Sequence, residues 1–158
     1  MDLLSYIDKG GEIVYILLAL NVIGFTIILW KFLTLVNKNA ITRKILSKIT
    51  HTNISDIHIQ IEYEVKKLET GLTFIKNIAS ISPLLGLLGT VYGVLKSFET
   101  ISSSGLGDAS IFSHGISLAL ITTIAGLIVA IPHHLCYNYF IHVLDELELK
   151  IKNEQISQ

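Results

Sequence analysis

The sequence predicts an all-α membrane protein with three transmembrane helices, its N-terminus outside and its C-terminus in the cytoplasm. Hydrophobic residues make up 51% of the 158-residue chain and charged residues only 16%, which is low for a soluble domain. Three long apolar runs and an uneven distribution of lysine and arginine complete the prediction. Residues 1–158 are expected to form a single membrane domain.

The first predicted span covers residues 13–35. The twelve residues before it carry three acids and one lysine, whereas a signal peptide begins with net positive charge. No small-x-small cleavage site follows the apolar run. We therefore interpret this segment as a retained transmembrane helix.

The second and third predicted spans cover residues 75–98 and 112–135. Their central stretches, residues 78–95 and 116–131, contain no charged side chain. Each stretch approaches the roughly 20 residues that cross the hydrocarbon core of a bilayer. Flanking residues and helix tilt supply the remaining length.

The distribution of basic residues predicts the orientation. Eight of the twelve lysines and arginines lie between Lys31 and Lys76, and two more lie in the tail. The positive-inside rule then places residues 37–74 and the tail, 136–158, in the cytoplasm. The N-terminus and the loop 99–113 are expected outside.

Helical periodicity continues beyond the membrane, so the second and third helices are expected to extend into the cytoplasm. Apolar residues recur every three or four positions along two stripes: Ile54, Ile57, Ile61, Val65, Leu68 and Leu72, then Phe140, Leu144, Leu147 and Ile151. The first stripe predicts one continuous helix from about residue 55 to about 98. Either packing within the subunit or contact between subunits explains such stripes.

Helix-capping residues are expected before two of these helices. Asn53 or Ser55 is a candidate N-cap for the cytoplasmic helix. Asp108 or Ser110 is a candidate for the third span.

Small and hydroxyl residues share one face of each of the last two spans. These residues are Pro83, Gly86, Thr90, Gly93 and Ser97 in the second span, and Gly115, Ala119, Thr123, Gly126 and Ala130 in the third. Gly89 forms a small-xxx-small pair with Gly93, and Pro132 follows the third stretch. The faces predict close helix packing. The two threonines either bond back to their own helix or line a pathway.

The residue types that the two central stretches lack limit the functions that this chain is expected to perform. Neither central stretch has an ionisable residue, and a hydroxyl cannot hold a proton at neutral pH. A proton pathway would therefore need a titrating group from a partner. His133 and His134 are adjacent and would point about 100° apart on a helix, and His114 lies about five turns away, so these histidines are not expected to form a metal or haem site; Cys136 is single. We expect no catalytic set, no cofactor and no nucleic-acid partner.

The sequence PLLGLLGTVYGVLKSF, followed by GISLALITTIAGLIVAIP, resembles the signature of the ExbB/TolQ/MotA family of ion-driven motor subunits. The resemblance covers about 50 residues and is stronger to ExbB-type than to TolQ-type members, while MotA has four spans. It implies a homo-oligomeric ring, a pentamer, in the bacterial inner membrane. Thr90 and Thr123 match the family's proton-pathway threonines.

The resemblance also implies partners and a task. An ExbD-like one-span protein would place an intramembrane aspartate inside the ring, and proton flow would act on a TonB-like protein to power uptake across the outer membrane. Tol–Pal envelope maintenance is the alternative role within the family, and a passive scaffold is the alternative outside it. Family members often have glutamate where this chain has Leu118, and the stretch between the first two spans is short.

Overall fold

The computed structural model describes residues 3–35, 38–49, 54–104 and 109–156. These residues form five helices: α1 (Leu3–Leu35), α2 (Lys38–Ile49), α3 (Ile54–Leu68), α4 (Leu72–Ser104) and α5 (Ala109–Ile156). The described ranges contain no strand. The predicted all-α class is therefore confirmed.

Three of the helices are long and apolar enough to cross a membrane. The candidate segments are Gly10–Leu35 of α1, Leu72–Ser102 of α4 and Ser113–Glu154 of α5. Helices α4 and α5 form the most extensive contact, and α1 packs against both. The short helices α2 and α3 lie at one end of this bundle and contact α5.

Helix α1 bends near its start because Gly11 has φ 65° and ψ −161°. Only glycine adopts such a conformation without strain. Further along α1, Gly24 leaves room for the ring of His133 on α5, and a Cβ at this glycine would collide with that ring. The two glycines therefore shape the path of α1 over the other spans.

The predicted continuous helix from 55 to 98 is wrong, because the chain turns between α3 and α4. Gly71 has φ 92°, and the amide of Leu72 donates to the carbonyl of Glu69 at 2.9 Å. A left-handed glycine commonly ends a helix. The sequence has an isolated glycine here, and the apolar stripe continues through it, so periodicity alone concealed the break.

A hydrophobic cluster joins α2 and α3 to the adjoining ends of the long helices, and we call this part the basal layer. Its buried residues are Leu35, Ile45, Ile61, Val65, Leu72, Ile75, Phe140, Leu144, Leu147 and Ile151. Both predicted apolar stripes contribute to it. These side chains pack within the subunit, as the first of the two interpretations proposed.

The predicted caps can be placed only in part. Asn53 and Asp108 lie outside the described residues. Ser55 is the second residue of α3 and Ser110 the second of α5, so each lies just inside the helix that it was expected to cap.

Lys31 is a buried cation near the C-terminal end of α1. It is 3% exposed, and its Nζ donates to the carbonyl oxygen of Leu68 at 2.7 Å. That carbonyl belongs to the last turn of α3, where helix carbonyls lack intrahelical partners and the dipole is negative. The lysine thus joins α1 to the end of α3, a contact that its sequence position did not reveal.

A charged group on the outside of the basal layer links α2 to α3. The carboxylate of Glu64 lies 3.1 Å from Nζ of both Lys48 and Lys67. Hydrogen bonds from the two ammonium groups lower the pKa of Glu64, and the same pairing raises the pKa of Lys67.

We expect Glu64→Gln to destabilise the protein by about 0.2–1 kcal/mol at neutral pH, the range for solvent-accessible ion pairs. Because the folded-state pKa of Glu64 lies below the ordinary value of 4.5, its stabilisation is present above that pH and is lost as the pH falls through the folded-state pKa. Thermal unfolding in detergent at pH 7 and pH 3 should show the difference from wild type shrinking. The exposed Glu62→Gln on the same helix is the control, and an unchanged difference would contradict the assignment.

Gly71→Ala should destabilise the turn by about 1–2 kcal/mol, since a Cβ is strained at positive φ. Thr70→Ala, one residue earlier and exposed, should have a much smaller effect. Limited proteolysis in detergent measures local opening of the turn. Equal cleavage rates for the two variants would show that the glycine conformation is not required.

Candidate functional site

Helices α4 and α5 approach so closely that several glycines have no room for a side chain. A Cβ at Gly93 would lie 2.8 Å from the carbonyl oxygen of Gly115, and a Cβ at Gly126 would lie 2.6 Å from that of Ser82. Backbone thus faces backbone along the contact, as in other glycine-lined membrane helix pairs. The small faces predicted from the sequence meet each other here.

A pair of threonine hydroxyls spans this contact. Oγ1 of Thr90 lies 2.9 Å from Oγ1 of Thr123. Thr90 also donates to the carbonyl oxygen of Gly86 at 3.1 Å, one turn earlier in its own helix. Thr123 reaches the same carbonyl at 3.4 Å. The first threonine therefore bonds back to its own helix, while the second bonds across to α4.

A third hydroxyl, that of Thr122, belongs to the same cluster and was missed in the sequence. Its side chain is 1% exposed, and it donates to the carbonyls of Ala119 at 2.8 Å and Gly86 at 3.3 Å. The spacing of Gly115, Ala119, Thr122 and Gly126 is 4, 3 and 4 residues, which would have placed Thr122 at the centre of the contact.

The three hydroxyls do not all lie on the same side of the α4–α5 pair. Thr122 lies against Gly89, where a Cβ would collide with it. Thr123 is two residues from Ile121, which packs near Gly10 of α1, so it points about 200° away from that helix. The Thr90–Thr123 pair thus lies on the side of α4–α5 remote from α1.

The surface around the threonine pair is apolar and uncovered in the single chain. Large hydrophobic side chains are exposed on both helices near the pair, namely Leu87, Val91, Val94, Leu120 and Leu127. The hydroxyls themselves are half-buried. A hydroxyl both donates and accepts a hydrogen bond, so the pair can bind either a carboxylate or its protonated form.

The remaining predicted packing residues lie on α4 and α5 and are buried or half-buried. Pro83 and Pro132 are half-buried, and α4 and α5 continue through them without interruption. Ala130 is buried, as are Gly86, Gly89, Gly93 and Gly126. Ser82, not predicted, is fully buried and donates to the carbonyl of Ile78 at 2.7 Å.

His114, His133 and His134, the histidines of α5 considered in the sequence, occupy separate environments. His133 is 0% exposed, its Nδ1 lies 2.7 Å from the carbonyl oxygen of Val129, and Phe25 of α1 meets its ring edge-on. Its Nε2 has no hydrogen-bond partner. His134 and His114 are exposed. They do not converge on a common ligand position.

Three apolar helices, of which the second and third spans carry hydroxyls and no acid at their centres, define a multi-pass membrane protein with a tight contact between two spans. Comparison of the sequence supports this class: the model of the MotA/TolQ/ExbB proton channel family matches residues 34–153. The chain belongs to this family.

Curated relatives carry two different names. TolQ of Pseudomonas aeruginosa, named a Tol-Pal system protein, is 38% identical over 84 residues, 53% of this chain and 36% of the relative. The biopolymer transport protein ExbB of Aquifex aeolicus is 37% identical over 98 residues, 62% and 66% of the two chains. ExbB of Salmonella typhimurium is 39% identical over 70 residues, 44% and 29%.

The chain spans only about a third of the length of the TolQ relatives that it matches. The relatives are named as transport and Tol–Pal proteins, and none of these names describes an enzyme. The multi-pass membrane character of this chain follows from its three apolar helices together with its family.

Gly93→Val should separate α4 from α5, because the added atoms meet backbone of Gly115 and Ala119. We expect a loss of about 1–3 kcal/mol, typical of overpacking in a tight contact. Ser80→Val, which enlarges a small residue on the exposed side of α4, is the matched control. Thermal unfolding in detergent measures both, and equal midpoints would show that the close approach is not needed for folding.

Proposed function

We propose that this chain is an ExbB-type subunit of a proton-motive-force-driven energy transducer in a bacterial inner membrane. The observation that supports this most directly is the Thr90–Thr123 hydroxyl pair, 2.9 Å apart across α4 and α5. Its position in spans that lack an ionisable centre makes it a binding surface for another chain's acid. The basic residues support an N-terminus outside and a basal layer in the cytoplasm.

The partner is proposed to be an ExbD-like protein with one span and an intramembrane aspartate. Its helix would cover the exposed apolar residues beside the pair, of which Leu87 and Leu127 are examples. A ring of this chain, a pentamer, would enclose such helices and present one threonine pair per subunit. A carboxyl group placed in lipid without such partners is costly.

The pair suits an acid that changes its protonation state. When the aspartate is ionised, the Thr123 hydroxyl donates a hydrogen bond to the carboxylate, and Thr90 continues to donate to the carbonyl of Gly86. When the aspartate is protonated, its hydroxyl donates to a threonine oxygen instead. Because each hydroxyl can reverse its role, the ring binds both states, and the proton travels on the partner.

Proton passage would then move the partner relative to the ring and act on a TonB-like protein, powering uptake across the outer membrane. A TolQ-type role in envelope maintenance is the second candidate. It is favoured by relatives named TolQ that match at 38% and 35% identity, close to the 37% of an ExbB. A passive scaffold is the third, and it requires no response to the proton gradient.

Thr90→Val and Thr123→Val should each reduce proton-driven activity at least tenfold, because valine keeps the volume of threonine but cannot bind the acid. Thr90→Ser and Thr123→Ser should retain most activity. The control is Thr26→Val, whose hydroxyl bonds only back to Val22 within α1 at 2.8 Å. Activity is measured as complementation in two hosts, one lacking its own ExbB and one lacking TolQ.

The two hosts also separate the roles. Restored receptor-dependent uptake supports the ExbB assignment, whereas restored detergent resistance in the second host supports TolQ. Full activity of both valine variants, at normal membrane levels, would remove the threonines from the mechanism. Partner conformation that stays the same after a protonophore is added would favour the scaffold.

A further inference from the structure

A cavity of about 550 Å³ lies at the end of the bundle opposite the basal layer, between the start of α1 and the α4–α5 pair. Polar or charged side chains line part of it: Glu12, Tyr92, Lys96, His114 and Thr122. Apolar and glycine residues complete the wall: Gly10, Gly11, Ile13, Leu88, Gly89 and Leu118. We call it the Glu12 cavity.

The bend of α1 builds the mouth of this cavity. Gly11 has the left-handed φ of 65°, and a Cβ there would lie 3.8 Å from Cδ1 of Leu118. The next residue, Glu12, contributes the only carboxylate among the described residues of the lining. The carboxylate of the cavity therefore comes from α1, whereas α5 contributes the apolar side chain of Leu118.

The lining indicates water rather than lipid tails. At about 30 Å³ per molecule, the volume admits well over ten waters, and the polar groups give them hydrogen-bond partners. A second cavity, on the α5 flank of α1, has an almost entirely apolar lining that includes Ile121 and Ile124. The two cavities differ in polarity although both border α1 and α5.

The Glu12 cavity reaches one member of the hydroxyl cluster. Thr122 lines the cavity and donates to the carbonyl of Gly86, which also accepts from Thr90 and Thr123. One carbonyl oxygen thus separates the cavity from the threonine pair on the far side. Thr122 also donates to the carbonyl of Ala119, at the shorter distance of 2.8 Å, so it keeps a hydrogen bond when another donor binds Gly86.

We propose that the Glu12 cavity is a water-filled vestibule that brings hydrated protons from the outer solution to the hydroxyl cluster within a single subunit. The proposal rests on the proposed function. When α4 and α5 separate locally at Gly86 and Thr122 keeps its bond to Ala119, a water from the vestibule reaches the Gly86 carbonyl and the threonine pair. The proton travels on water and is delivered to the partner's acid; the carbonyl only accepts hydrogen bonds.

Cysteine accessibility tests the vestibule without reference to activity. In a Cys136→Ser background, Leu118→Cys and Ile121→Cys place one thiol in each cavity, one helical turn apart and at similar half-burial. A charged, membrane-impermeant methanethiosulfonate is added to the outside of intact cells. Because thiolates form in water, we expect Leu118→Cys to react at least tenfold faster than Ile121→Cys.

Tyr92→Cys, on the α4 side of the cavity, is a second position that should react quickly if the cavity is wet. Equal or slower reaction at both cavity positions, compared with Ile121→Cys, would overturn the vestibule. This result would leave the proposed function standing, because that function is judged by the Thr90 and Thr123 variants.

The effect of the modification tests the transport role. Once Leu118→Cys is modified, the added group fills the vestibule, and proton-driven activity should fall at least fivefold. Leu118→Phe, which fills the space without a reagent, should lower activity similarly at normal membrane levels. A wet cavity whose blockage leaves activity unchanged would overturn its role in proton entry.

Discussion

The close approach of α4 and α5 is the constraint on which the rest of the structure depends. Backbone groups of Gly93 and Gly115 face each other with no side chain between them. In lipid, where burial of apolar surface gives little drive for association, such contact supplies dispersion energy and brings polar groups into reach. Any residue larger than glycine here would move the helices apart and remove the hydroxyls from one another.

The close approach of α4 and α5 converts a common hydrogen bond, from a threonine hydroxyl to the carbonyl one turn earlier, into a cluster of three hydroxyls around one carbonyl. Thr26 of α1 satisfies its hydroxyl with the carbonyl one turn earlier in the same helix. Thr90 does the same with Gly86, but the proximity of α5 brings two more hydroxyls to that carbonyl. Their lone pairs and protons exceed what the carbonyl alone can satisfy, which leaves hydrogen-bonding capacity for an incoming group.

The sequence predicted the parts of this arrangement that follow from composition and period. Three spans and the two small-residue faces that carry Thr90 and Thr123 could be inferred, because regular spacing of glycine and hydroxyl residues in an apolar helix favours close helix packing. Two features were missed. The spacing of Thr122 with Gly115, Ala119 and Gly126 could have placed it in the contact, but its hydrogen bond across to the carbonyl of Gly86 depends on how the two helices pack. The turn at Gly71 depends on one backbone dihedral that an uninterrupted apolar stripe conceals.

The hydrogen bond from Lys31 to the carbonyl of Leu68 restricts how α3 can move relative to α1. Gly71, whose positive φ forms the turn between α3 and α4, lies beside this lysine, with a Cβ position 3.5 Å from its Cε. Bending there would pull a buried ammonium away from its acceptor and leave both groups stranded in an apolar setting. The lysine therefore holds α1 and the end of α3 together beside the turn, and it opposes any bending at Gly71 that would separate them.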